Sequence, residues 1–373
     1  SAEELRQEFY KLGVKFELSI NKFALTVELS GPDANLKKAV ALMDHFLRDA
    51  KADPAAYRSY VDGILKDRAD AKLNAGAVFQ RAAAYAWYGK KNPYTTLLSE
   101  AELRAVKPEE LLALLRQIFS QYKSTFVYAG PSAMETVVEA AKQIPVSGSA
   151  VPENRVRYTP RTVEKPTIYL VDFDTVQMRV GFTSGGPVFS LKDLPYGEVF
   201  NEYFCSGLDS IVFQEIRESR ALAYSAGGSY EQSMQKGRRN VIYMVAGTQG
   251  DKLFDVIDTM DSILAKMPLY EGKFQSARDS LLKKIATERI MGLELFGFEQ
   301  KMKRIGTDTD WRKAEYETVR KMNLPQLEDF FRKVLAPLKY DIIIVGKSAA
   351  IDREKLARRG TIVDLKLHDL FGY

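Results

Sequence analysis

The sequence predicts an α+β fold built from two homologous units, each a mainly antiparallel sheet with helices packed on one face. Three observations carry that expectation. Segments that alternate apolar and polar residues, as half-buried strands do, interleave with segments whose apolar residues recur every three or four positions, as core-facing helices do. Residues 35–47 match residues 252–264 without a gap, which places Leu36, Met43, Asp44 and Leu47 on Leu253, Met260, Asp261 and Leu264. Between the copies, residues 144–166 hold Pro145, Pro152, Pro160 and Pro166 with Gly148, a composition suited to an exposed connector.

In chain order, residues 2–11 read as a short helix. Residues 22–29 alternate, with Phe23, Leu25, Val27 and Leu29 on one face of a strand. A Gly31-Pro32-Asp33 turn precedes an amphipathic helix carrying Leu36, Ala39, Val40, Met43, Phe46 and Leu47, with Asp33 or Asn35 near its cap. Residues 54–87 read as a longer helical region and 89–94 as a loop. Pro108 opens a helix through Phe119, residues 125–129 read as an apolar strand, and 132–143 as a helix. Past the connector, 167–173 and 177–182 read as strands, Gly185-Gly186-Pro187 as a loop, and 194–204 as a helix. A strand at 240–246 is followed by helices at 253–264, 271–291 and 325–334, an apolar strand at 341–345, and a tail with a helix and an extended stretch at 361–367.

The repeat sets the domain expectation: a first copy over 1–143, a linker over 144–166, and a second copy over 167–373. Tyr57-Arg58-Ser59 meets Phe274-Gln275-Ser276 in the same register, and one residue out of register Leu114-Leu115-Arg116 meets Phe330-Phe331-Arg332. Glu4-Leu5-Arg6 is similar to Glu215-Ile216-Arg217, so residues 167–211 of the second copy have no counterpart in the first. The first copy is therefore expected to enter mid-fold, with an absent segment completing its sheet.

Bulk properties exclude several classes. Lys plus Arg is 54 and Asp plus Glu is 49, a net charge of +5, too mild and evenly spread to indicate nucleic acid. One cysteine, Cys205, precludes an intrachain disulfide. No apolar run reaches the roughly 18 residues of a membrane span.

The stretch from Cys205 to Tyr230 organises the rest. Leu208, Ile211, Val212 and Ile216 share one helical face, and Asp209 or Ser210 could cap the start. Arg217 falls in the last turn, and Tyr224 lies seven residues on, in a strand that begins near Leu222. Two polar side chains at such a corner can point into one space, with at least one partly exposed. Equally, Arg217 can complement the helix C-terminus while Tyr224 packs on a sheet.

The wording of this stretch resembles the C-terminal signature of pitrilysin-type (insulinase-like, inverzincin) zinc metallopeptidases. The matching residues are Gly207, Leu208, Asp209, Ser210, then Glu215, Ile216, Arg217, Glu218, then Leu222, Ala223, Tyr224, Ser225. The resemblance implies that Arg217 and Tyr224 face a zinc site on another domain and hold the substrate backbone near the scissile bond. It also implies that the two copies are the third and fourth domains of the family, the third truncated at its start.

Zinc itself is not expected on this chain. The inverzincin motif is H-x-x-E-H, and the two histidines, His45 and His368, do not fit it. After His45 the glutamate position holds Arg48 and the second histidine position Asp49. Where active members carry a downstream glutamate ligand, this chain reads Ile64-Leu65-Lys66-Asp67. Gly346-Lys347-Ser348 follows a strand like the end of a phosphate loop, but the leading glycine position holds Asp341. Cys205 has no histidine near it in sequence, and Ser225 lacks the G-x-S-x-G elbow. Tyr85, Trp87, Tyr88 and Tyr94 read as core and loop-anchoring aromatics.

The expectation is thus a non-zinc C-terminal half that closes over a peptide substrate for a zinc-bearing half, on the same chain or on a homologous subunit. This segment alone is expected to be inactive. A non-catalytic scaffold or peptide-binding subunit of the same fold is the alternative.

Overall fold

A computed structural model describes residues 2–21, 24–144, 148–150 and 158–373. In chain order the elements are α1 (Ala2–Lys11), β1 (Lys15–Ile20), β2 (Leu25–Ser30), α2 (Leu36–Asp49), α3 (Pro54–Lys72), α4 (Ala75–Tyr88), α5 (Glu100–Ala105), α6 (Pro108–Gln121) and α7 (Met134–Ala141). There follow β3 (Thr167–Asp172), β4 (Met178–Val188), α8 (Leu194–Phe200), α9 (Ile211–Phe213), β5 (Ala223–Glu231), β6 (Arg239–Thr248), α10 (Leu253–Ala265), α11 (Glu271–Thr287), α12 (Glu294–Ile305), α13 (Arg312–Lys321) and α14 (Leu324–Phe330). The chain closes with β7 (Asp341–Gly346), α15 (Arg353–Ala357), β8 (Thr361–Asp364) and α16 (Leu367–Phe371). Residues 1–66, 100–156 and 290–297 form one compact unit; 67–99, 157–289 and 298–373 form another. The expected copies follow the sequence match, whereas these units follow what packs together, so 67–99, expected within the first copy, packs within the second unit.

In the first unit β1 and β2 form an antiparallel pair, with Phe16 opposite Leu29 and Leu18 opposite Val27. Gly13, at φ +63°, makes the left-handed exit from α1 that admits β1. Phe9 stacks on Phe16 with ring centroids 4.9 Å apart, and Met43 and Leu47 of α2 close this core. The expected strand at 22–29 is β2, which begins at Leu25; Lys22 and Phe23 lie outside the described residues. Its partner β1 was not foreseen. The strand expected at 125–129 is a correction. That stretch is in no ladder, and Phe126 and Val127 are exposed. A strand needs a neighbour to hydrogen-bond, and the described residues offer this one none.

The second unit is a six-stranded sheet of order β5-β6-β4-β7-β3-β8. The pairs β5–β6, β6–β4 and β4–β7 are antiparallel, while β3 runs parallel to both β7 and β8. Ile168, Val180, Phe182, Ile242 and Ile344 point from one face into a core closed by α10, α11 and α14, with Phe274 fully buried. The opposite residues of the central strands, Tyr169, Val171, Ile343 and Val345, meet Val78, Ala82 and Ala86 of α4 and Leu370 and Phe371 of α16. Helices therefore cover part of the second face too. The pleat explains it: residues buried on both sides make β3 and β7 near-continuous apolar runs.

The helical region expected at 54–87 is two helices, interrupted at Leu73, and Asn74 caps α4 by accepting from the Ala77 N–H at 3.0 Å. Gly185-Gly186-Pro187, expected as a loop, lies inside β4, beside a β-bulge between Gly185 and Val188. A Cβ on Gly185 would strike the Arg161 carbonyl, so the close approach of backbone, not a turn, is what calls for glycine there. Arg161 also donates to buried Asp341 at 2.8 Å and to the Ala86 carbonyl at 2.6 Å. The helices α5, α12 and α13 were not foreseen.

The helix pairs matched by the repeat behave alike. Both α2 and α10 follow a strand through one 3₁₀ turn, and Met43 and Met260 are both buried on the sheet side. Asp44 is buried and paired with Arg48, whereas Asp261 is half exposed and paired with Arg359.

Glu315 of α13 is buried and Glu198 of α8 is half-buried beside it, and neither forms an ion pair among the described residues. Gln232 donates to Glu198 at 3.3 Å.

Candidate functional site

The corner between α9 and β5 is made by local rules. Ser210 caps α9, its hydroxyl accepting from the Phe213 N–H. After one α turn the helix widens into a π turn over Gln214–Glu218. Ile211, Val212 and Ile216 are fully buried, as their spacing predicts. Leu208 is not: it precedes the cap, lies outside the helical repeat, and is 73% exposed. Ala221, at φ 49°, reverses the chain into β5.

Arg217 sits in the π turn with its guanidinium 4.9 Å from the Phe213 ring centroid and 5.7 Å from the Tyr224 ring centroid. Its Nε lies 3.4 Å from Glu218 Oε1. Phe213 is the residue that sequence reasoning missed; the i, i+4 spacing to Arg217 is the signal that finds it. Tyr224 is a bulge residue. Ala223 pairs with Thr248 and Ser225 with Gly247, so Tyr224 has no partner on β6 and its side chain is turned out, 72% exposed. The structure thus brings the two sequence-predicted residues together. The guanidinium lies within cation–π reach of both rings, and the phenol is open to solvent. A stacked guanidinium keeps N–H donors in its plane free for a carbonyl or carboxylate.

Glu215, two residues before Arg217, accepts from the Tyr270 hydroxyl at 3.1 Å and faces Arg220 at 3.9 Å. That hydrogen bond, ahead of the charge of Glu215, raises the Tyr270 phenol above its ordinary value. Tyr270 is 55 residues from Glu215 in sequence, so no local spacing announces the contact.

The other candidates are accounted for by packing. His45 is exposed and bonded to Asp49 at 2.8 Å, and His368 is exposed beside Asp369. Among the described residues no three His, Cys, Asp or Glu side chains gather as a metal would need, so the residues present do not fit a zinc site. The Cys205 thiol is buried, and burial pushes its pKa up, away from a reactive thiolate. In the strand-to-turn segment at Gly346, the Ser348 N–H is taken by Asp172 at 2.8 Å and Lys347 pairs with Asp174 at 2.9 Å. The donors a phosphate loop would offer are already engaged. Tyr85 packs edge-on to Tyr169, Trp87 bonds Thr183, Tyr88 meets Tyr158, and Tyr94 lies under the Arg81 guanidinium. No helix among the described residues is long and apolar enough to cross a membrane.

Residues 105–279 match the family model of the peptidase M16 inactive domain. A search of curated proteins found no match. Among solved structures, the chain is similar to a peptidase M16 inactive domain from Pseudomonas fluorescens, with a TM-score of 0.69 and 15% identity, over 93% of this chain and 84% of that one. It is similar to a protease from Helicobacter pylori, with a TM-score of 0.65 and 13% identity, over 92% and 84% of the two chains. The periplasmic protease PqqL from Escherichia coli gives a TM-score of 0.70 and 13% identity over 93% of this chain, but only 39% of PqqL is covered. At these identities the structural likeness establishes the fold.

Proposed function

We propose that this chain, whose residues 105–279 match the peptidase M16 inactive domain and whose fold is similar to one, is the zinc-free half of a pitrilysin-like peptidase, closing over a peptide and positioning it for hydrolysis by a separate zinc-bearing half. The single observation that supports this is the Arg217–Tyr224 pair. The Tyr224 hydroxyl and the Arg217 guanidinium would donate to substrate carbonyl oxygens, including the one on which charge develops. The nearby Phe213 and Tyr224 rings limit where the guanidinium can point, so less conformational freedom is lost when substrate binds. The zinc of the other half would supply the activated water and polarise the carbonyl. This chain's own residues hold the backbone and complement charge.

The testing experiment mixes the purified chain with a zinc-bearing half bearing H-x-x-E-H, encoded upstream or in an adjacent gene, and follows cleavage of a quenched fluorescent peptide. Cleavage by the mixture and by neither component alone is expected. A complex that forms but never cleaves would overturn the reading in favour of a scaffold or peptide-binding subunit.

A further inference from the structure

On the far side of β5 from the core lies a second feature. A cleft of about 260 Å³ is lined by Ala75, Thr175, Val176, Gln177, Arg179, Ser225 and Gly247, all within the second unit. Its floor is one row across the sheet: Arg179 of β4 pairs with Gly247 of β6, which pairs with Ser225 of β5. Because the middle position is glycine, the arginine and serine side chains flank an open gap. A Cβ on Gly247 would lie 2.9 Å from Ser225 Oγ and 3.5 Å from Gln177 Oε1, so any side chain there would fill the cleft. Gly76 likewise leaves room for the guanidinium, whose Nη2 would be 3.7 Å from a Cβ at that position.

The polar groups at this gap are unspent. Among the described residues Arg179 forms no ion pair and no hydrogen bond, and the Ser225 hydroxyl and Gln177 amide have no partner either. A half-buried guanidinium normally finds a carboxylate or carbonyl oxygens within its own fold. Here one cation, a hydroxyl and a carboxamide, whose NH₂ can be turned inward by rotation about its last bond, converge on a space large enough for the end of a peptide. A fork of N–H donors matches a carboxylate in two-point geometry. One positive charge balances a monoanion, whereas a phosphate dianion would leave negative charge uncompensated.

We propose that the Arg179 cleft is a binding site for the carboxylate of a peptide, held by the Arg179 guanidinium with the Ser225 hydroxyl and the Gln177 amide. This holds whether or not the chain assists proteolysis.

The test uses the full chain, ¹⁵N-labelled, with the amides of Gly76 and Gly247 as local reporters. The probes are acetyl-tetraalanine with a free C-terminal carboxylate, the same peptide amidated, an amidated analogue carrying one glutamate, and inorganic phosphate. The free-acid peptide is expected to shift both amides saturably, and the amidated peptide to leave them in place. Binding of the glutamate analogue would assign the site to acidic side chains as well; its failure would assign it to chain termini. Arg179→Ala is expected to weaken the free-acid peptide at least about tenfold, with Arg179→Lys intermediate because it keeps the charge and loses the fork. Ser225→Ala, on an exposed position, gives a second reading that does not depend on Arg179 for folding. Equal shifts from acid and amide, stronger binding of phosphate than of the acid, or unchanged affinity in folded Arg179→Ala and Ser225→Ala would overturn the proposal.

Discussion

Glu315→Gln should flatten the pH dependence of stability in the second unit. Burial, and next the carboxylate of Glu198, raises the Glu315 carboxyl from its ordinary 4.5 to about 7. Lys301 opposes this and Glu288 adds to it; Lys284, Lys301 and Gln232 act on Glu198, with Glu202 as its further acidic neighbour. Between the two values the folded state holds a proton that the unfolded chain has released, so stability falls as pH rises. The contribution is fully present below about 4.5 and is lost as pH rises through about 7. The loss amounts to about 2.5 kcal/mol from about pH 5 to about pH 8. For a unit of this size that is roughly 5–10 °C in Tm. Scanning calorimetry of the wild type and Glu315→Gln at the two pH values measures it. Phe274→Ala, which empties a fully buried site at a cost of about 3–5 kcal/mol, marks which transition belongs to this unit. Equal pH dependence in wild type and variant would refute the reasoning.

In the proposed assembly with a zinc-bearing half, Arg217→Ala or Tyr224→Phe should lower kcat/KM by about a hundredfold and leave zinc content unchanged, because on the proposed reading each removes a donor to substrate rather than a metal ligand; full activity in both would remove the proposed role. The chain alone should contain no stoichiometric zinc by plasma mass spectrometry and should cleave no peptide, and one tightly held zinc per chain would contradict the ligand reading. Arg161→Ala should destabilise the second unit by about 2–4 kcal/mol in denaturant titration, since it leaves the Asp341 carboxylate buried with only the Thr167 N–H as partner; the 45% exposure of Arg161 keeps the cost toward the low end. Arg161→Ala combined with Asp341→Asn should recover part of that loss.

The sequence made legible what depends on near neighbours. Ile211, Val212 and Ile216 announce a buried helical face, Pro108 a helix start, and the match of Met43 to Met260 a pair of buried helix positions. The Arg217–Tyr224 pair was legible because seven residues span one corner. What stayed hidden depends on distant partners. Residues 125–129 have the composition of a strand but no neighbour, which no local pattern records. Gly185 and Gly186 spell a turn yet sit in a strand, and at Gly185 the reason for glycine is the close approach of the Arg161 carbonyl. The Arg179 cleft joins three strands and α4, and its residues carry no shared spacing.

The strand order of the second unit has a kinetic consequence. β7, at Asp341–Gly346, is the second-to-last strand to be made, yet it lies between β4 and β3 and joins them. Its partner Ile168 precedes Ile342 by 174 residues. Until that strand emerges, β3 and β4 each show a bare edge, and the pairing that unites them closes a long loop. During synthesis the second unit must therefore wait, with its antiparallel half formed and its parallel half open, in the state most prone to pairing with another chain. A ribosome stalled after β6 has emerged and before residue 341 is made would present that open sheet, and chaperone dependence should fall once residues 341–346 clear the exit tunnel.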